Sequence, residues 1–326
     1  ADGHDRTPST NTGSGVEVGT FTPRPRRDAA AHSGQRLAHA DEGRIGRAVV
    51  TIVVPLDGSP FAERALRPAC SIAARLEHAR VLLVSCTVDI DMQHRLDELA
   101  GLYSDVVAVD TRRVAHGDPA EVLLATAATE PEATLCMATH GRGGITSAVL
   151  GSVAKQAVCR STQPLMLVGP HCRTALLPAE HGRLLVCSDG SAFSDSIVPT
   201  AATWCDRLEL EPWLTEVVGP DENPEPADHP VPNREAAAAR KRLQELAPQL
   251  RSPPSDVGIE VLHGAPGRSI PDFAARLPAA LIAIATHGRG GLTRITMGSV
   301  TAEVVRHAPC PVLITRPTDD RTCVDG

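Results

Sequence analysis

Aromatic rings are scarce in this chain. Four Phe, two Trp and one Tyr in 326 residues leave Ala, Val, Leu and Ile to fill any core. They also leave no row of rings on which unpaired bases could stack. A positive balance is missing too: the formal net charge is −7, which argues against sequence-independent attraction to nucleic acid backbones. No apolar run reaches the length of about 18 residues that a membrane-spanning helix needs, and nothing near residue 1 has the apolar core of a secretory signal. The expectation is a soluble, cytoplasmic protein with neither nucleic acid nor membrane as partner.

Metal and redox frameworks are equally absent. The cysteine count is nine, an odd number, and no two are spaced as C-x-x-C, so zinc sites and disulfide scaffolds lack their usual spacing. Cys86, Cys136 and Cys187 lie inside apolar runs and are expected to be reduced and to pack as small hydrophobes. There is no G-x-x-x-x-G-K-[ST], hence no P-loop lysine, and no G-x-G-x-x-G after the first predicted strand.

What is present is a repeat. Residues 138–153 read ATHGRGGITSAVLGSV and residues 285–300 read ATHGRGGLTRITMGSV. These copies are 147 positions apart, whereas VPLDGS at 54–59 and VCSDGS at 186–191 are 132 apart, so the second copy carries 15 additional residues between its landmarks. One order of landmarks with two offsets means two copies of a whole domain, since solenoid units run only to about 50 residues. We place a disordered tail at 1–46, domains at 47–171 and 183–317, a linker at 172–182 and a short tail at 318–326.

Each copy alternates strands with helices. In the first, the β-branched run at 48–57 reads as a strand buried on both faces. Ser59-Pro60 then reads as a helix start, with the helix covering 61–76. Strands at 79–86, 105–115, 133–139 and 163–169 alternate with helices at 93–102, behind Asp118-Pro119, and at 152–160. The second copy repeats this order with strands at 183–189, 211–218, 257–264, 279–286 and 310–315. Its helices fall at 194–208, 233–250, 269–277 and 299–307, the second of them following the Pro-rich acidic stretch PDENPEPADHPVP. Such alternation implies parallel sheets with helices on both faces.

In open sheets of this kind ligands bind beyond the carboxyl ends of the strands. Asp57 and Asp189 lie just past strand one, and the ATHG loops just past strand four. Gly141 permits a tight turn or close backbone approach. Gly151-Ser152-Val153 opens a helix, whose free N–H groups and dipole favour an anion. One helix end contributes only about 0.3–2 kcal/mol, so such a site needs further contacts. A nucleotide would supply them through its phosphates, ribose and base. Plainer roles stand beside these: Asp57 can bond loop amides, Ser152 can serve as an N-cap, and His140 and His287 can fix their loops by hydrogen bonds. Arg142 and Arg289 can meet phosphate or water.

The residues quoted so far resemble the universal stress protein family, specifically its tandem two-domain members. Family members that bind ATP carry G-x2-G-x9-G-[ST]. Here Gly141 is followed by nine residues and then Gly151-Ser152, and Gly288 by nine and then Gly298-Ser299. The first glycine of the pattern is Ala138 in one half and Ala285 in the other, a substitution that is tolerable only if the backbone there has negative φ. The resemblance implies an α/β fold like that of the adenine nucleotide alpha hydrolases. Each half then holds a five-stranded parallel sheet of order 3-2-1-4-5. The apolar fifth strands pair antiparallel within the chain as a pseudo-dimer, with a homodimer as a further option. It implies ATP as ligand, with Mg²⁺ as an optional companion. The implied contacts are Pro55, Asp57, Ala138, Gly141, Arg142, Gly151, Ser152 and Val153 in the first half, and Asp189, Val217, Ala285, Gly288, Arg289, Gly298, Ser299 and Val300 in the second. Cys187 replaces the counterpart of Pro55, so the two sites are not expected to be equal. The function implied is regulatory: nucleotide-dependent association with an unknown protein partner in stress response or dormancy. A nucleotide-free interaction module is the alternative. An ATP-cleaving enzyme is disfavoured because no nucleophile–base pair recurs in the two halves.

Overall fold

Strands whose residues are β-branched on both faces need cover on both sides, and the molecule provides it through a single sheet. The computed structural model describes residues 49–139, 150–173, 182–219, 234–251, 256–286 and 297–315. The predicted tails, the segment 174–181 within the linker, and the loop residues His140, Gly141, Arg142, His287, Gly288 and Arg289 lie outside the described residues.

The first half runs β1 (Val50–Pro55), α1 (Pro60–Glu63), α2 (Leu66–Ala73), β2 (Ala79–Cys86), α3 (Asp91–Gly101), β3 (Ala108–Val114), α4 (Pro119–Thr129), β4 (Thr134–Ala138), α5 (Ser152–Arg160) and β5 (Leu165–Val168). The second half runs β6 (Arg183–Ser188), α6 (Ala192–Asp195), α7 (Val198–Leu208), β7 (Glu211–Val218), α8 (Arg234–Leu250), β8 (Gly258–His263), α9 (Pro266–Arg276), β9 (Ala279–Ala285), α10 (Ser299–His307) and β10 (Val312–Thr315).

One prediction is corrected. The helix expected over 61–76 breaks into α1 and α2, and its counterpart breaks into α6 and α7. Pro68 has no N–H to offer the Arg64 carbonyl and its ring would collide with it, so the helix restarts at Leu66 with the proline in its first turn. Pro199, one position earlier in its helix, likewise lies in the first turn of α7.

The strand order is β3-β2-β1-β4-β5-β10-β9-β6-β7-β8, ten strands in one sheet. Each half is parallel in the expected order 3-2-1-4-5, and the halves meet where β5 and β10 pair antiparallel through Leu167↔Val312, Met166↔Leu313 and Leu165↔Ile314. This pairing removes two apolar edges that would otherwise invite association.

Two apolar layers flank the sheet. On one face Ile52, Val54, Leu83, Leu184 and Val186 pack with α2, α3, α7 and α8. On the other, Val53, Leu82, Leu135, Leu185 and Ile282 pack with α4, α5, α9 and α10. Both halves therefore place equivalent helices on the same side. Helix α8, the longer counterpart of α3, is pinned by a bidentate ion pair from Arg242 to Glu216 of β7. That carboxylate is 1% exposed and would be costly to leave unpaired.

The junction is tightened behind β5. A Cβ on Gly169 would sit 1.9 Å from the Val305 carbonyl oxygen of α10. Across the halves, Arg75 donates to the Leu208 carbonyl (2.5 Å) and Arg207 pairs with Glu132 (2.6 Å).

Among the described residues eight cysteines are free. Cys136 and Cys187 are buried as expected, while Cys86 is half-buried and its Sγ reaches the Gly117 carbonyl at 3.3 Å. Burial pushes the Cys70 and Cys205 thiols up to about 12, and raises those of Cys136, Cys187 and Cys310 further.

Gly169→Ala is expected to cost about 1–3 kcal/mol, the range for forced overpacking, in denaturant titration. Gly101→Ala, where an added Cβ meets nothing within 4 Å, is expected to be neutral or to stabilise by up to about 1 kcal/mol. The thiols give a pH signature. Above pH 9.0, their ordinary pKa, the unfolded chain releases protons that the native core retains. Stability is then flat below about pH 9 and falls as pH rises toward 12, by roughly 1 kcal/mol per buried thiol per pH unit. Urea titrations of the reduced protein across this range test it.

Candidate functional site

The site begins where β1 ends. Pro55 closes the strand beyond its last paired position with β4, Val53↔Leu135, so its missing N–H breaks no ladder bond there. The chain then turns on Asp57-Gly58-Ser59. Asp57 Oδ1 accepts the Ser59 N–H at 2.9 Å, Gly58 lies at φ 79°, and Ser59 Oγ caps α1 by accepting the Ala62 N–H at 3.2 Å. The second half repeats the device. Asp189 Oδ1 accepts the Ser191 N–H at 3.0 Å and its hydroxyl at 2.6 Å, Gly190 lies at φ 77°, and Ser191 caps α6. The positive φ explains why both turns carry glycine. Sequence reasoning quoted this Gly in both copies and passed over it.

One strand over, Ala138 ends β4 and Ala285 ends β9, each in a paired strand conformation. Neither is among the described residues at positive φ. The methyl group that replaces the family's first glycine is therefore compatible with the backbone in both halves. Thr139 and Thr286 follow, and their carbonyls accept the N–H of Gly151 (2.7 Å) and Gly298 (2.9 Å). This pair of bonds ties the start of α5 and of α10 to the end of the neighbouring strand.

The helix begins at Ser152 as predicted, but the N-cap role offered for Ser152 falls to its neighbour. Gly151 and Gly298 are the cap residues, at φ −66° and −57°, and Ser152 and Ser299 are the first helical residues. Neither cap supplies a side-chain hydrogen bond, in contrast to Ser59 on α1. A first turn without such a side chain keeps its N–H groups for an anion. Val153 is half-buried against the core, whereas Val300 is 37% exposed.

The two rims differ further. Ser188 stands where the first half has buried Leu56. It donates to Asp195 Oδ1 at 2.7 Å and accepts the Gly190 N–H at 2.9 Å, while the Asp189 N–H goes to Ser194 Oγ at 3.0 Å. Thr301 donates to the Ala285 carbonyl at 2.9 Å; its counterpart is Ala154, which cannot. Val217 lies in β7, half-buried against the apolar layer that holds Cys187. The structure thus brings Pro55, Asp57, Ala138 and Gly151-Ser152-Val153 to one rim. Asp189, Ala285 and Gly298-Ser299-Val300 share the other.

A duplicated parallel α/β half, with a carboxylate turn and a helix N-terminus at the carboxyl ends of adjacent strands, defines the class of tandem open-sheet α/β proteins, whose crevices lie at those strand ends. The universal stress protein family model matches residues 50–169 and 180–316, and the chain belongs to that family with two copies of its domain. Universal stress protein Rv2005c of Mycobacterium tuberculosis (strain ATCC 25618 / H37Rv) is 29% identical over 187 residues, 55% of this chain and 60% of that protein. Universal stress protein MT2052 of M. tuberculosis (strain CDC 1551 / Oshkosh) is 27% identical over 220 residues, 64% of this chain and 66% of the relative. The match with the first of these thus spans less than two thirds of its length. Among solved structures, a putative universal stress protein from Pseudomonas aeruginosa UCBPP-PA14 shares the fold with a TM-score of 0.57 at 18% identity, covering 83% of this chain and 95% of its own. One from Archaeoglobus fulgidus DSM 4304 gives 0.56 at 17%, covering 82% and 98%. Among the described residues no helix is long and apolar enough to cross a membrane.

Gly58→Ala and Gly190→Ala are each expected to cost about 1–2 kcal/mol, the penalty for a Cβ at left-handed φ, with Ser59→Ala costing about 0.5–2 kcal/mol through the lost cap. Thermal unfolding of the three variants measures both.

Proposed function

We propose that this universal stress protein binds an adenosine nucleotide, ATP with or without Mg²⁺, at both rims, and that occupancy regulates its association with a partner protein in the cytoplasm. The observation that carries the reading is the repeated tie of Gly151 to Thr139 and of Gly298 to Thr286. In each half it holds a first helical turn without a side-chain cap beside the strand that neighbours the carboxylate turn. The α5 and α10 first turns, with Ser152 and Ser299, would hold the phosphates. Asp57 and Asp189 would meet the ribose, and Pro55, Ala138, Val217 and Ala285 would line the base. Arg142 and Arg289, with Gly141 and Gly288, complete the proposed set from the loops outside the described residues.

No bond-making step is assigned to these residues; the reading is of a binding protein and not an enzyme. Because the second rim carries Cys187, Ser188 and Thr301 in place of Pro55, Leu56 and Ala154, the two affinities are expected to differ. The competing reading, a nucleotide-free interaction module, is favoured by one observation: Asp57 and Asp189 each spend Oδ1 on their own turn.

Calorimetric titration of the full chain with ATP decides between them. Two unequal binding events are expected. Ser152→Asp and Ser299→Asp place a carboxylate in a helix first turn, which suits the helix dipole and is expected to stabilise by about 0.3–1 kcal/mol. Each is expected to weaken ATP at its own rim at least tenfold. No heat at millimolar ATP, or variants that bind as the parent does, would end the proposal.

A further inference from the structure

Away from both rims, a cleft of ≈ 420 Å³ opens at the junction of the halves. It is lined by His171 and Arg173 from the segment behind β5, by Arg268 and Asp272 of α9, and by His307 at the end of α10. That volume lies in the range of small-molecule sites. The walls are fixed by backbone: His171 Nδ1 donates to the Arg306 carbonyl at 2.8 Å, and the Arg173 N–H donates to the Pro309 carbonyl at 2.8 Å. The two imidazoles stack with centroids 5.5 Å apart.

The repeat supplies an internal control. Helices α4 and α9, and α5 and α10, correspond residue for residue at an offset of 147, so Arg268 stands at the position of Glu121 and His307 at that of Arg160. In the first half Glu121 and Arg160 form an ion pair that joins the two helices. In the second half the carboxylate has become a guanidinium and the guanidinium an imidazole, so that pair cannot form. Among the described residues neither Arg173 nor Arg268 enters an ion pair. Two arginines and two imidazoles thus face one opening, and among the described residues that line it the one carboxylate is Asp272.

We propose that this cleft binds a small phosphate ester. The guanidinium groups of Arg173 and Arg268 would take the phosphoryl oxygens in the planar, forked geometry that suits them, with His307 adding an N–H donor and His171, whose Nδ1–H is already given to the Arg306 carbonyl, stacking behind it. Asp272 would accept a hydroxyl of the ester. This inference does not rest on the nucleotide reading, because no residue of either rim takes part.

The test is calorimetry of the full chain with ribose 5-phosphate at low ionic strength. Arg268→Glu combined with His307→Arg rebuilds the ion pair that the first half already carries. This double variant is expected to lose at least tenfold in affinity while keeping the parent's ATP titration. Should it unfold, Arg173→Gln with Arg268→Gln serves instead, with the same loss expected. Absence of binding by the parent at about 10 mM ester, weaker than about −2.7 kcal/mol, overturns the proposal. So does unchanged affinity in a folded variant.

Discussion

Antiparallel pairing of β5 with β10 is the constraint on which the remaining architecture depends. A parallel half-sheet of this order ends in an apolar strand with unsatisfied backbone groups along one edge. Joining two such edges satisfies both and gives a continuous sheet of ten strands. Because the partners run in opposite directions, the carboxyl ends of β1 and β4 face away from those of β6 and β9. The two rims are therefore separated by construction. The approach of Gly169 to Val305 and the crossed contacts of Arg75 and Arg207 brace the same junction from outside the sheet.

Within that frame the halves have diverged in chemistry more than in shape. Both retain a carboxylate turn on a left-handed glycine and a helix start tied to the neighbouring strand. The first rim is apolar around its turn, with Pro55 and Leu56. The second has a lattice of Ser188, Ser191, Ser194 and Asp195. Beneath it the buried Glu216–Arg242 pair fastens α8, which has no counterpart of equal length in the first half. Arg242 is also influenced by the charge of Asp195, so the lengthened helix and the polar turn share one electrostatic neighbourhood. The junction cleft follows the same pattern, since the Glu121–Arg160 ion pair of one copy is replaced by Arg268 and His307 in the other.

How much of this was legible before the fold was known varies with the kind of evidence. The repeat and the helix starts at Ser59, Asp118, Ser152 and Ser299 could be read directly, because they rest on local patterns of apolar residues, caps and spacing, whereas the strand order came only from the resemblance, since no local pattern encodes which strands lie side by side. The break between α1 and α2 was legible in principle from Pro68 and was missed because the apolar spacing continues across it. The cap role of Gly151 was missed because serine is the stronger N-cap former; the tie to Thr139 makes Gly151 the cap and Ser152 the first helical residue.

The sequence alone determined that two copies of one α/β domain lie in tandem, with Asp57, Asp189 and the two glycine-rich loops at the carboxyl ends of strands. That information is local, carried by the order and type of neighbouring residues. Only the tertiary structure decided that Ala138 and Ala285 are free of backbone strain, that Glu216 is buried against Arg242, and that Arg173, Arg268 and the two histidines converge. Each of these depends on residues far apart in the chain meeting in space, and a residue's φ or burial is set by the partners that packing brings to it.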